Sequence, residues 1–174
     1  MCSFKTKEVS EMNELTLKKW KSVIAEDNFR PIIMTMIRER WVKSEKRARY
    51  LIEAFLQWFL VADQSEHDKP YVMFHGSVDR VFHAFVLNTE FYSAFCKKHV
   101  GKFINHNPLD SDLSILAKNR GGIEYTIDLL LQTYGASLHP ELKRWVRLAD
   151  MGKLKASSIS CVRCDYVELR AKTA

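Results

Sequence analysis

Apolar residues recur at spacings of three and four along most of the chain, which is the period of α-helices that bury one face. This spacing predicts eight helices, over 14–26, 31–41, 45–62, 77–87, 90–99, 113–119, 123–134 and 140–150. The third helix carries apolar side chains on more than one stripe, so we expect neighbours to contact it on two sides. Tyr71–Phe74 is a short apolar run that is predicted to be extended or irregular, and 162–169 is predicted to be a short strand or an extended tail.

Capping residues predict several of the helix ends. Ser44 is a typical N-cap for the third helix, and Thr89 can cap the fifth. Gly101 is predicted to end the fifth helix as a C′ residue. The polar segment 102–110 that follows is predicted to be a loop.

Length and composition favour one domain built from long regular elements. The chain has 174 residues, of which only 6 are Gly and 4 are Pro, and its 47% apolar content is enough for a real core. We therefore expect an all-α protein: a single compact multi-helix domain over 13–150, an N-terminal arm at 1–12, and a C-terminal tail or small β element at 151–174.

No feature of the sequence indicates export or a membrane anchor. The first residues lack the apolar run of a signal peptide, and four cysteines are too few for a disulfide framework. The longest apolar stretch, Tyr50–Ala62, falls short of the ~20 residues that span a bilayer. A cytoplasmic protein without a membrane span is the expectation.

The strongest chemical signal is a cluster of histidines, because four of the six lie between residues 75 and 106. Asp79 and His83 are four residues apart on the fourth predicted helix and therefore share a face. Cys96 and His99 are three apart on the fifth and share a face there.

Two neighbouring helices and a loop thus offer N, O and S donors in one short stretch, as a divalent zinc or iron ion requires. His106 follows the fifth helix and can turn back towards the helix pair. In this interpretation His83 and His106 are the principal ligands, Asp79 is a ligand or a supporting carboxylate, and Cys96 or His99 completes the metal site.

A purely structural interpretation of the same residues stays open. Asp79 would cap its helix, His83 would be a hydrogen-bonded buried histidine, and Cys96 would be a small core residue. His99 would lie at a helix C-terminus because the helix dipole favours a cation there.

The cluster also resembles a known protein family. The residues that carry the resemblance are Val78–Phe85, Thr89, Tyr92, Phe95, Cys96 and Gly101–Pro108. This segment is similar to the glycine-rich domain-containing-protein-like family and its small bacterial relatives of unknown function, whose pattern is Asp, two residues, Trp-His, then Thr, Tyr, Cys, Gly-x-Phe and His-His-x-Pro. The resemblance implies that Asp79, His83, Cys96 and His106 belong together.

The chain departs from that pattern at two positions. Phe82 stands where Trp is usual, and Asn105 replaces the first His of the closing pair. The second departure removes one possible metal ligand.

Charge supports an alternative function. The formal net charge is +6, and much of the excess lies in one segment, whose basic residues are Arg38, Arg40, Lys43, Lys46, Arg47 and Arg49. The chain could therefore be a non-enzymatic interaction module that binds an acidic protein or nucleic acid through this basic segment. A solvated helix face is the simpler interpretation, since no basic-region or RNA-binding motif accompanies the charges.

Other motifs narrow the possibilities without naming a reaction. Cys161 and Cys164 form a C-x-x-C pair that suits half of a zinc knuckle or two unliganded thiols in a tail. The P-loop, the dinucleotide-binding glycine motif, the Gly-x-Ser-x-Gly elbow and the His-Glu-x-x-His pair do not occur, which disfavours those enzyme classes. Whether the protein is an enzyme is not decided by its sequence.

Overall fold

The protein is described by a computed structural model over residues 19–62, 64–65, 69–101, 103–104, 106–108, 111–119 and 121–162. In this part α1 occupies residues 19–26, followed by α2 (Arg30–Arg38), α3 (Glu45–Ala62), α4 (Ser77–Leu87), α5 (Thr89–His99), α6 (Ser111–Asn119), α7 (Gly122–Tyr134) and α8 (Pro140–Asp150). Three short strands accompany them: β1 (Val72–Phe74), β2 (Asn107–Pro108) and β3 (Ile159–Val162). The predicted all-α class with a small β element is confirmed. No helix within the described ranges has both the length and the apolarity that crossing a bilayer requires.

Helix α3 is the centre of the core. It packs against α2, α4, α7 and α8, and apolar side chains around most of its circumference are buried. Its polar groups are satisfied by neighbouring segments: the Gln57 amide donates to the carbonyl of Ser137 and its oxygen accepts from the backbone N–H of His139. The Trp58 indole donates to the carbonyl of Val72 at 2.8 Å, which fixes β1 beside α3. The expectation that this helix is contacted on two sides is met.

Most predicted helix ends agree with the structure. Helices α3, α4 and α8 begin and end at the predicted residues, and Ser44 Oγ accepts from the N–H of Arg47 at 3.2 Å as an N-cap should. Gly101 has the positive φ of 79° that was expected of a C′ residue. The prediction for Thr89 was wrong by one position, because Thr89 is the first residue of α5 and Asn88 is the N-cap.

Helix α2 ends earlier than its apolar pattern predicted. It stops at Arg38 instead of near Trp41, because the N–H of Trp41 bonds back to the carbonyl of Met36 and the N–H of Arg40 to that of Ile37. These two bonds form a Schellman motif, in which the C′ residue is left-handed. Arg40 takes that position with φ of 58°, although glycine is the usual residue there. The chain then turns, and Trp41 leaves the helix axis.

The strands form one antiparallel sheet in the order β1-β3-β2. Met73 pairs with Cys161, and Asn107 pairs with Val162. The segment 102–110 was predicted to be a loop but contains β2. β3 at Ile159–Val162 was not predicted, and the strand or tail expected over 162–169 lies, beyond Val162, outside the described residues. Such short strands depend on their partners, so local pattern does not reveal them.

The sheet joins the C-terminal segment to the helices. β3 lies within the residues predicted to be a tail, and the side chains of Ile159 and Cys161 are buried against the core. The predicted arm at 1–12, the residues after 162 and Cys164 lie outside the described part of the chain.

His139 is the N-cap of α8 and is 7% exposed. Its Nδ1 accepts from the N–H of Glu141, and its ring lies 4.3 Å from that of Tyr50. Burial lowers the pKa of His139 from 6.5 to about 4, and the charge of Arg47 acts in the same direction against the opposing effect of Glu141. The imidazole is therefore neutral in the folded protein at neutral pH.

His139 should make unfolding depend on pH between about 6.5 and about 4. In this window the unfolded chain binds a proton that the folded protein excludes, so the free energy of unfolding falls as the pH drops. His139→Asn keeps an N-capping side chain but does not titrate. We expect urea unfolding of this variant to show a shallower loss of stability over the same pH range; parallel profiles for the two proteins would contradict the assignment.

Candidate metal centre

Asp79 lies in the first turn of α4, next to residues whose side chains enter the core. Val78, Val81 and Phe82 are buried, and packing of this apolar face carries the neighbouring Asp79 side chain inward until it is 6% exposed. Helix α4 begins at Ser77 after Gly76, and no side chain caps it. Asp79 is therefore the third residue of the helix and not its cap.

The electrostatic surroundings keep Asp79 ionised. Burial on its own raises the pKa of this carboxyl, but the side chains of His106 and Ser160 and the charges of the two nearby imidazoles lower it more. The net result is a pKa below the usual 3.8. A buried carboxylate at neutral pH needs cationic or hydrogen-bonding partners.

His83 follows Asp79 by one helical turn. Its Nε2 lies 3.8 Å from Asp79 Oδ1, and 44% of its side chain is exposed. Trp41, which the end of α2 turns in this direction, lies with its ring 6.4 Å from the His83 ring. Burial lowers the pKa of His83, as do the charges of His106 and His75, whereas the Asp79 carboxylate raises it. A neutral imidazole is the form that binds metals.

His106 reaches the same place from the segment after α5. The Tyr92 hydroxyl donates to the carbonyl of Ile104, and pairing of β2 with β3 holds the residues that follow His106. The imidazole packs edge-to-face on Phe82 with ring centroids 4.7 Å apart, and its side chain is 8% exposed. Its Nε2 lies 3.9 Å from Asp79 Oδ1.

The three side chains converge on a common space. One donor atom from each of Asp79, His83 and His106 lies within 4.8 Å of the other two, and the two imidazole rings are 4.7 Å apart. In the described part of the structure, neither Asp79 Oδ1 nor His106 Nε2 has a hydrogen-bond partner, although both atoms are buried. Such buried atoms without partners are uncommon and costly, and here two of them lie beside a third possible ligand, which makes the space between them a candidate metal-binding position.

His75 is an additional neighbour of Asp79 that was not among the predicted ligands. Its Nδ1 lies 3.9 Å from the other carboxylate oxygen, Asp79 Oδ2, and 63% of its side chain is exposed. The sequence does contain a signal for His75: the residues His75, Asp79 and His83 follow one another at intervals of four.

Cys96 and His99 lie elsewhere. Neither belongs to the described residues whose donor atoms meet around Asp79. His99 Nε2 contacts Asp27 Oδ2 at 2.5 Å, so its position at the end of α5 is explained by an ion pair with the α1–α2 turn. Cys96 is fully buried, and burial raises the pKa of its thiol, which disfavours the thiolate that metals bind. For these two residues the structural interpretation accounts for the observed contacts.

The basic segment is partly neutralised by the chain itself. Arg38 pairs with Glu39, Arg49 with Glu45, and Arg47 with Glu141 of α8 at 2.5 Å. The other three, Arg40, Lys43 and Lys46, have no ion pair with a described residue. The segment is also not one helical face, because the end of α2 and a turn divide it. Binding of an acidic protein or nucleic acid stays a prediction.

Comparison with known proteins gives a family but no function. The family model described as UCP032817-like matches residues 19–130, which is more than half of the chain and includes all three converging side chains. This family is uncharacterised, and the match does not confirm the resemblance to the glycine-rich domain-containing-protein-like family. No curated protein and no solved structure matches the chain.

The coupling between Asp79 and His83 can be tested in metal-free protein. Since the Asp79 carboxylate raises the pKa of His83, Asp79→Asn should lower that pKa further. NMR titration of the His83 ring protons after chelator treatment measures the change. Glu90→Gln removes an exposed carboxylate from α5 and is expected to leave the titration unaltered. An unchanged His83 pKa in Asp79→Asn would contradict the described geometry.

Proposed function

This chain belongs to the UCP032817-like family, and we propose that it binds one divalent transition-metal ion through Asp79, His83 and His106. The observation that carries the proposal is the pair of buried atoms without partners, Asp79 Oδ1 and His106 Nε2, which face a third donor on His83. A bound cation gives both atoms a partner and balances the buried negative charge.

The donor set selects the class of metal. Two imidazole nitrogens and one carboxylate oxygen suit zinc or iron, since two histidines and one carboxylate occur in catalytic zinc sites and in non-haem iron sites. Calcium takes six to eight oxygen ligands and magnesium keeps an octahedral oxygen shell, so neither fits a nitrogen-rich set of three.

The distances support a site that needs little rearrangement. Four ligands at about 2.0–2.1 Å from zinc stand about 3.4 Å from one another. The Asp79 oxygen is 3.8 Å from one imidazole nitrogen and 3.9 Å from the other. Closing these two gaps requires shifts of a few tenths of an ångström, and the two imidazole nitrogens, which lie within 4.8 Å of each other, must approach by up to about 1.4 Å. The half-exposed His83 side chain can move by that amount, whereas His106 is held by Phe82 and the sheet.

Three protein ligands leave a coordination position for water or a substrate. Because His83 is 44% exposed, that position faces solvent on its side of the centre. A zinc ion with three protein ligands lowers the pKa of its bound water to about 7, which provides a nucleophile for hydrolysis, and iron in such a set supports oxidative chemistry.

Metal content of the untagged protein tests the proposal. We expect about one zinc or iron ion per chain in wild type and a loss of affinity of at least about 100-fold in His83→Ala, because removal of outer partners alone costs 10- to 100-fold. His83 is half-exposed, so this variant should fold. Elemental analysis and a competition titration with a chromogenic chelator provide the two measurements.

Cys96→Ala is the matched control. Cys96 was predicted as a ligand but lies outside the converging set, so this variant should keep the metal of wild type. Sub-stoichiometric metal in wild type, together with equal affinity for added zinc in wild type and His83→Ala, would overturn the proposal. Loss of metal in Cys96→Ala with retention in His83→Ala would point to a different ligand set.

A further inference from the structure

A cavity of about 410 Å³ lies between the first turn of α4, helix α8 and the segment that leads into β3. We propose that this cavity binds the phosphate group of a small molecule through Arg144 and Lys153. Its volume falls within the range of about 300–1,000 Å³ that small-molecule sites occupy.

The charge of the cavity favours an anion. Arg144 of α8 and Lys153 after α8 both line it, and neither forms an ion pair with any residue of the described chain. Glu141 carries the negative charge among the described lining residues, but Arg47 neutralises it at 2.5 Å from outside the cavity. The cavity is therefore lined by two solvent-exposed cationic residues that have no ion pair with a described residue.

The donors present suit phosphate better than a singly charged anion. An arginine guanidinium can donate two parallel hydrogen bonds to phosphate oxygens, and a lysine ammonium adds a second positive charge for the dianion. The hydroxyl groups of Ser77 and Ser157 line the same cavity and can donate to the remaining oxygens. The N-terminal turn of α4, which no side chain caps, borders it as well.

The cavity adjoins the proposed metal centre through one residue. His75 lines the cavity, and its Nδ1 lies 3.9 Å from Asp79 Oδ2. A phosphate group held by Arg144 would therefore lie on the other side of His75 from the metal ligands. This placement of a phosphate-bearing substrate beside a metal rests on the proposed function, whereas phosphate binding by the cavity does not.

Calorimetric titration with inorganic phosphate tests the inference on the full chain after chelator treatment, at constant ionic strength. We expect wild type to bind phosphate at least tenfold more tightly than acetate. Arg144→Gln and Lys153→Gln should each weaken phosphate binding about tenfold, since a charge-assisted hydrogen bond contributes a factor of this order. Arg144 and Lys153 are exposed, so both variants should fold.

Arg147→Gln is the matched control, because it removes an exposed arginine from the same helix outside the cavity lining. It should bind phosphate as wild type does. Absence of phosphate binding, equal binding of acetate, or equal losses in Arg147→Gln and Arg144→Gln would overturn the inference.

The metal and phosphate sites can fail separately. His83→Ala should lose metal and retain phosphate binding, so a protein that binds phosphate but never metal would refute only the proposed function. One result would overturn the inference that the cavity binds phosphate: binding that requires added zinc and persists in the Arg144→Gln, Lys153→Gln double variant. Phosphate would then be bound by the metal ion.

Discussion

The contact of the Phe82 ring with both the core and His106 connects the candidate centre to the fold. Phe82 packs against Phe55 and Trp58 of α3, with ring centroids 5.4 and 5.8 Å apart, and against His106 at 4.7 Å. Burial of this aromatic ring fixes the rotation of α4 about its axis. That rotation in turn determines the directions of the Asp79 and His83 side chains, because both residues lie on the same helix as Phe82. The geometry of the centre is therefore a consequence of core packing.

The same arrangement has an electrostatic cost. An ionised carboxylate oxygen and an imidazole nitrogen, Asp79 Oδ1 and His106 Nε2, are buried 3.9 Å from each other without a hydrogen bond to any described residue. Buried polar groups of this kind are usually hydrogen-bonded, and exceptions concentrate at functional sites. A cation that binds only the folded state stabilises it, so the proposed metal binding would raise the stability of the folded protein.

The ionisable residues of the chain divide into two groups by their partners. His99 with Asp27, and Arg47 with Glu141, form ion pairs that join distant segments. The residues around the candidate metal centre and the cavity behave differently: Asp79 Oδ1 and His106 Nε2 have no hydrogen-bond partner among the described residues, and Arg144 forms no ion pair with a described residue, although Glu141 lines the same cavity. Trp20 Nε1 and His139 Nε2 are also buried without a partner among the described residues, so the feature that distinguishes this region is the convergence of three possible ligand atoms.

The sequence by itself determined the helical class, the bounds of α3, α4 and α8, and a set of candidate ligands that contained Asp79, His83 and His106 together with Cys96 and His99. These features depend on local information: apolar periodicity, capping side chains, and the four-residue interval that places Asp79 and His83 on one face. The tertiary structure alone decided which other candidates join them. Cys96 and His99 share a face of α5, but their spacing does not show which side of α5 packs against α4. In the structure, neither residue lies among the three converging side chains. Helix α2 ends at Arg38 through local backbone bonds, but its C′ residue is Arg40 instead of the usual glycine, so no signal in the sequence marks this end. The β2 and β3 strands and the proximity of α8 to His75 arise from contacts between segments far apart in the chain, which no local pattern encodes.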